Sequence, residues 1–319
     1  MTAYDVFNGD ADGICALTQL RLAEPKNSIL VTGVKRDIRL LQQVNAEAGD
    51  AITALDISMK KNMPDVERIL AAGASIFYCD HHDAGDIPNH DALKALINLD
   101  SNVCTSLLIN SYLKGAYAEW SVTGAFGDNL KQSAIAAAKP LALNEAQLTQ
   151  LESLGMYINY NGYGAALEDL HFTPEQLYKE VCQYKTPFNF IADNRAVFDQ
   201  LETGYHQDMS EVALIQAEQA NDKTAVFILP NEKWARRVSG VYSNDLANNY
   251  PDRGHAVLTE KADGNYLVSV RAPLSNKQGA NEIVGQFPTG GGRAAAAGIN
   301  DLPADQLSQF IDVFSAFYA

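Results

Sequence analysis

At 319 residues the chain is long enough for two domains, and a 47% apolar fraction is that of a globular protein. Its formal charge of −15 repels polyanions as a whole, and no basic stripe or arginine-rich tail offsets it. Long nucleic acid tracts are therefore excluded as partners, and so is a membrane, because no apolar run approaches the roughly 18 residues of a spanning helix. The opening MTAYDVFNGD lacks the basic start and apolar core of a secretory signal, which makes the cytoplasm the expected location.

In chain order, AYDVF, SILVTG, AITALD, ASIFYCD and ALINLD read as strands, with helices over Ala16 to Ala23 and Met63 to Ala72 between them. That alternation predicts an α/β domain with a mostly parallel sheet and helices on both faces. From Asn144 to Tyr184 the pattern is helical, interrupted by an apparent turn at NYNGYG, Asn159 to Gly164. A polar helix over Met209 to Asn221 would link this domain to the next. After Lys223, AVFIL, HAVLTE and YLVSVRA read as strands, with a helix over Val241 to Asn248 between the first two and a final helix over Ala304 to Tyr318. The expected division is a first domain over 1–200, a linker helix over 201–222, and a smaller α/β domain over 223–319. The four cysteines, Cys15, Cys79, Cys104 and Cys182, show no C-x-x-C spacing and are expected to be free thiols.

The chemistry-bearing feature is the position of the acids. Asp10 and Asp12 follow the first predicted strand, Asp56 the third, and Asp80-His81-His82 the fourth; Asp128 in GAFGDN follows later. Open parallel sheets gather ligands at the carboxyl ends of their strands, so these residues are expected along one edge. One aspartate after a strand is ordinarily a turn or cap residue. Several together repel unless a cation lies among them, and oxygen ligands with an imidazole suit Mn²⁺ or Mg²⁺. Asn8 to Gly13 copies the first half of a calcium loop, but its twelfth position is Gln19, which cannot supply the bidentate carboxylate. Further on, Gly290-Gly291-Gly292 frees the backbone to approach a ligand, with amides aimed at phosphate if a helix starts there, and Arg293 can grip phosphate or a guanine edge. Tyr160 and Tyr163 could stack on a base or belong to a plain turn. Arg236 and Arg237 read as solvated, and His90, His171, His206 and His255 as structural.

With these motifs in order, the chain resembles the DHH phosphoesterase superfamily, in its branch with a C-terminal DHHA1 domain across a cleft from the first. The resemblance covers nearly the whole chain, through NGDADG, ALDIS, DHH, GDN and GGGR. It implies metal ligation by Asp10, Asp12, Asp56, His81 and Asp128, with Asp56 bridging two ions. Asp80 would orient His81, and His82 would contact the scissile phosphate. Asn8, Arg271, Gly290, Gly291, Gly292 and Arg293 would bind substrate. The implied cofactor is Mn²⁺, one ion or two, with Mg²⁺ as the substitute, activating a water as nucleophile. Two positions depart from the family: Arg293 stands where the fourth residue of the glycine motif is usually histidine, and Val6 stands where a ligating histidine is usual, which leaves Asn8 as a stand-in and the number of ions open. The expected activity is hydrolysis of short linear nucleotides, diribonucleotides such as pGpG, to mononucleotides. The alternatives are a phosphatase for a nucleoside bisphosphate or pyrophosphate, and a non-catalytic nucleotide-binding regulator with a degenerate metal site. A homodimer is the assembly to look for.

Overall fold

In a computed structural model that describes residues 1–319, the chain divides into two compact units, Met1–Thr203 and Gly204–Ala319. The first contains β1 (Ala3–Phe7), α1 (Ala11–Ala23), β2 (Ile29–Val31), β3 (Ala51–Leu55), α2 (Met59–Ala71), β4 (Ser75–Asp80) and β5 (Leu93–Ile97). These strands form a wholly parallel sheet in the order β2-β1-β3-β4-β5. All five strands expected from sequence are present. Val6, Val31, Ile52, Ala54, Ile76 and Tyr78 bury one face of it against Ile57, Met59, Val66 and Ile69 around α2. Because every strand runs the same way, every strand's carboxyl end opens on the same edge.

Seven further helices follow: α3 (Thr105–Tyr112), α4 (Ala118–Gly127), α5 (Lys131–Ala138), α6 (Glu145–Gly162), α7 (Pro174–Val181), α8 (Pro187–Asp193) and α9 (Arg195–Val212). The helix α6 opens on a reciprocal capping box between Asn144 and Gln147. It then continues through the NYNG that reads as a turn in sequence. Asn161 explains this: buried in the helix, it accepts the amides of His171 and Phe172 and donates to the Phe172 carbonyl, so polar residues that favour turns are satisfied by a neighbouring segment instead. Glycines allow α1, α4 and α6 to approach closely. A Cβ on Gly127 would lie 2.3 Å from the Ala11 Cβ, and one on Gly155 would lie 2.2 Å from the Thr123 carbonyl oxygen.

The second unit holds β6 (Gln219–Ala220), β7 (Thr224–Leu229), α10 (Lys233–Asn249), β8 (Gly254–Glu260), β9 (Tyr266–Arg271), α11 (Ala280–Val284), β10 (Gly290–Gly292), β11 (Ala296–Leu302) and α12 (Leu307–Phe317). Its sheet is mixed, in the order β10-β11-β9-β8-β7-β6, with β7 and β8 parallel. Val226, Leu258, Val268, Val270 and Ile299 pack with Ile283, Phe310 and Phe314 to form its core. Two expectations are corrected here. The helix expected over Met209 to Asn221 ends at Val212, and Gln219 pairs with Val226 as the edge of this sheet. The alanines of GGGRAAAAG do not start a helix: Gly290–Gly292 is the outer strand of a hairpin, and Ala296 and Ala297 pair with Arg271 and Val270. Pairing on two sides outweighs the helical preference of alanine, which is the highest of any residue but yields to tertiary context. In this chain no helix is long and apolar enough to cross a membrane.

Candidate metal centre

The acids reach one edge of the parallel sheet by separate local devices. Asp10 caps α1, its Oδ1 accepting the Gly13 amide at 3.1 Å. Asp12 lies in the first turn of the same helix, and its carboxylate accepts the amides of Thr105 and Ser106, both at 2.7 Å. Those amides begin α3, so one carboxylate ties two helix starts together at their positive ends. Asp56 follows β3 in a left-handed conformation, φ 59°, which a non-glycine residue adopts at a cost. Its amide donates to Cys79 and its carboxylate accepts the Thr105 hydroxyl at 3.1 Å, which hold it there. Asp128 ends α4, directly after the glycine that lets α4 meet α1.

His81 and His82 follow β4. The His81 Nδ1 is 2.8 Å from the Val103 carbonyl, which only accepts, so Nδ1 carries a proton and Nε2 faces the carboxylates. Nε2 lies 3.4 Å from Asp56, 3.9 Å from Asp12 and 4.0 Å from Asp128. One ligand atom from each of Asp56, His81 and His82 can be chosen so that all lie within 4.8 Å of one another. The resemblance implied that Asp80 orients His81; the structure pairs Asp80 with His82 instead, at 2.8 Å. Val103 supplies the orienting acceptor for His81, and the two histidine rings lie edge to face with centroids 4.4 Å apart. The His82 side chain remains 31% exposed, whereas His81 is almost wholly enclosed at 2%.

Electrostatics separate two sides of this cluster. Burial, and then the charges of Asp12, Asp10, Asp80 and Asp128, push the Asp56 carboxyl well above the ordinary carboxylate range. Burial acts on Asp10 in the same sense, but the Lys35 ammonium at 2.5 Å outweighs it and holds Asp10 down at about 2. Lys35 is itself raised despite its burial, by Asp10 first, then Tyr163 and Asp128. Burial also raises Cys15, Cys79 and Cys104, which keeps them as protonated thiols rather than thiolate ligands. All four cysteines are free.

Lys35 was not among the residues expected from sequence. Its ammonium also donates to Asn159 at 2.9 Å and stands 3.9 Å from Asp128. The signal that finds it is topological: the loop after β2 opens beside the loop after β1. Asn8 contacts this loop rather than the histidines, donating from Nδ2 to the Lys35 carbonyl at 3.2 Å. Val6 is fully buried in the sheet's core. Tyr160 is wholly buried and bonded to His171 at 2.8 Å, so it offers no face to a base; the Tyr163 ring lies 5.2 Å from the Lys35 ammonium. In the second unit, Arg271 donates to Asn244 at 2.8 Å, and the Arg293 amide closes the β10–β11 turn onto Ala296. Arg237 is not simply solvated: its guanidinium forks onto Asp208 at 2.6 and 3.1 Å. His255 is buried and accepts from Arg253 at 3.1 Å.

The donor set fits a hard divalent cation. Carboxylates gathered this closely repel one another without positive charge between them, and oxygen with nitrogen ligands suits Mn²⁺ or Mg²⁺. The repulsion that raises Asp56 reverses once such a charge is present.

No family model matches the chain, and no curated protein matches it. Solved structures do. The exonuclease RecJ bound to manganese aligns with 99% of this chain and 90% of its own, at 14% identity and a TM-score of 0.64. A DHH domain described as a member of an s1p family of ribosomal proteins aligns with 99% of this chain and 86% of its own, at 14% identity and 0.64. The pGpG-specific phosphodiesterase PggH from Vibrio cholerae aligns over 99% of both chains, at 14% identity and 0.55.

Proposed function

We propose that this chain, which has the DHH phosphoesterase fold, is a divalent-metal-dependent phosphodiesterase that cleaves short linear nucleotides, diribonucleotides such as pGpG, to mononucleotides. The observation that carries the reading is the convergence of Asp12, Asp56 and Asp128 on the Nε2 atom of an imidazole whose other nitrogen is fixed by Val103. Asp12, Asp56, His81 and Asp128 would hold the cation, with Mn²⁺ the first choice and Mg²⁺ the second. A cation bound there supplies Lewis-acid polarisation of a phosphoryl oxygen and acidifies water at neutral pH.

The chain's own residues supply the remainder. Asp80 pairs with the Nδ1 of His82 and so fixes the ring, leaving its Nε2 to contact a phosphate oxygen or the departing hydroxyl. Thr105 holds the Asp56 carboxylate in place while α3 is anchored through Asp12. The reading assigns recognition of the substrate's remaining phosphate or base to Arg271 and Arg293, with the Gly290–Gly292 backbone beside them. The global charge of −15 favours a ligand short enough to be held by local charge. Support for the size of the ligand comes from PggH, a pGpG-specific phosphodiesterase.

The test is incubation of the purified chain with a full panel of diribonucleotides and Mn²⁺, following release of mononucleotides. Release from none of them ends the proposal; release of inorganic phosphate from nucleoside bisphosphates instead would move the chain to the phosphatase reading. Within an active panel, Arg293→Ala should raise KM by about tenfold with little change in kcat, the pattern of uniform binding lost.

A further inference from the structure

Asp10 and Lys35 form a side of the acidic cluster that the reading above does not use. Asp10 has one carboxylate oxygen on the Gly13 amide and the other on the Lys35 ammonium. The histidine that would complete a second ion's ligands is replaced by Val6, whose side chain belongs to the sheet's core and cannot turn toward the edge. Where a second cation would rest on Asp10, the structure has a positive charge already.

Lys35 is held there by its backbone as well as by its charge. Its amide donates to the Gly162 carbonyl at 2.8 Å, and its carbonyl accepts from Asn8 at 3.2 Å. The loop that carries it is pinned by Asp37, which accepts the Val34 amide at 3.2 Å. Gly9 leaves room for that loop: a Cβ there would stand 2.1 Å from the Gly33 carbonyl oxygen. The ammonium then has Asp10 and Asn159 as hydrogen-bond acceptors and Asp128 at 3.9 Å, with its side chain 22% exposed. Asn159 is buried at the end of α6 with its oxygen turned to this ammonium. An ordinary surface lysine has none of these constraints.

We propose that Lys35 is a built-in monovalent cation in the position of a second metal, so that the centre takes one divalent ion, on its His81 side. The inference rests on the metal-dependent reading of the same site and adds the number of ions and the residue that sets it. A fixed ammonium neutralises Asp10, is shared with Asp128, and repels a second divalent ion brought to the same carboxylates. It also remains available to a phosphate oxygen as a donor that needs no ion loading, because a lysine ammonium has three protons and Asp10 and Asn159 take two.

The experiment counts ions rather than turnover. The full chain is stripped with chelator, titrated with Mn²⁺ by calorimetry, and examined at saturation by metal analysis and by electron paramagnetic resonance. The wild type should bind one Mn²⁺ per chain and give the six-line spectrum of an isolated ion. Lys35→Met keeps the stem and removes the charge; it should admit a second Mn²⁺ at least about tenfold more tightly than the wild type does, with the broadened spectrum of two coupled ions. Lys35→Arg should keep one ion, and Lys35→Gln serves as a second charge-removing variant should the methionine fail to fold. Two tightly bound ions in the wild type would overturn the inference and leave the metal-dependent reading standing. A single ion in both charge-removing variants would overturn it also, since Lys35 would then not be what limits the count. No binding by the wild type would end the metal-dependent reading, and this inference with it.

Discussion

The edge of the parallel sheet and the glycine hairpin of the mixed sheet were both marked in sequence by dense short motifs, NGDADG and DHH in one, GGGR in the other. In the first, separate strand ends bring Asp12, Asp56 and His81 to one edge, with the imidazole nitrogen 3.4 Å from Asp56 and 3.9 Å from Asp12. In the second, the glycines form an outer strand and their amides serve or flank a hairpin rather than the start of a helix. Parallel topology concentrates distant residues at one edge, whereas a hairpin joins residues already close in sequence. The first arrangement can build a charged centre against repulsion; the second can shape a binding surface but contributes no converging ligands.

The largest test of this contrast is Asp56→Asn. Activity should fall by at least about 10³-fold, the several kcal/mol that a bound cation contributes, and Mn²⁺ binding should be lost. The same substitution should raise the melting temperature of the chelator-treated protein by about 2–4 °C at neutral pH. The sign follows from the raised Asp56 carboxyl: in the metal-free fold its ionisation is opposed by burial and by Asp12, Asp10, Asp80 and Asp128. The cost therefore grows as pH rises above the ordinary carboxylate range, where the unfolded chain's Asp56 ionises, is complete above the raised folded pKa, and is absent below the ordinary range. Asparagine keeps an acceptor for Thr105 and tolerates the left-handed backbone. Differential scanning fluorimetry decides it, and a lower melting temperature would remove electrostatic strain as the account of this edge.

Asp80→Asn should act more gently. Asp80 is bonded to His82 and not to His81, so Mn²⁺ affinity should be nearly preserved while kcat falls about 10- to 100-fold, the range for a lost orienting partner. Calorimetry and steady-state kinetics on the same preparation separate the two effects. Loss of the metal would instead return Asp80 to the orienting role that the resemblance implied.

Gly292→Ala probes the other region. Gly292 has φ 142°, and a Cβ there would meet the Ala297 Cα at 2.5 Å, so the substitution should destabilise the second unit by about 1–3 kcal/mol. Mn²⁺ binding should be unchanged. Thermal melts with and without Mn²⁺ test both parts, and an altered metal affinity would contradict the separation drawn between the two regions.

Much of this molecule follows from local sequence. The strands of the first sheet were legible because their β-rich runs alternate with helical patterns, and the acids and histidines that follow three of those runs marked Asp10, Asp12, Asp56, His81 and His82 for the edge. The extent of α6 was not legible, since Asn159, Asn161 and Gly162 favour turns until Phe172 and Lys35 supply hydrogen-bond partners from elsewhere in the chain. Nor was the strand at Ala296 and Ala297, which exists through pairing with β9 and β10. The sequence by itself determined the residue types available for the centre, because parallel strands must bring their carboxyl ends to one edge. Only the tertiary structure decided which partner each took: Val103 for His81, Asp80 for His82 and Lys35 for Asp10. Those choices are distances between segments far apart in the chain, and side-chain hydrogen bonds and charges act over a few ångströms of space, whatever the separation in sequence.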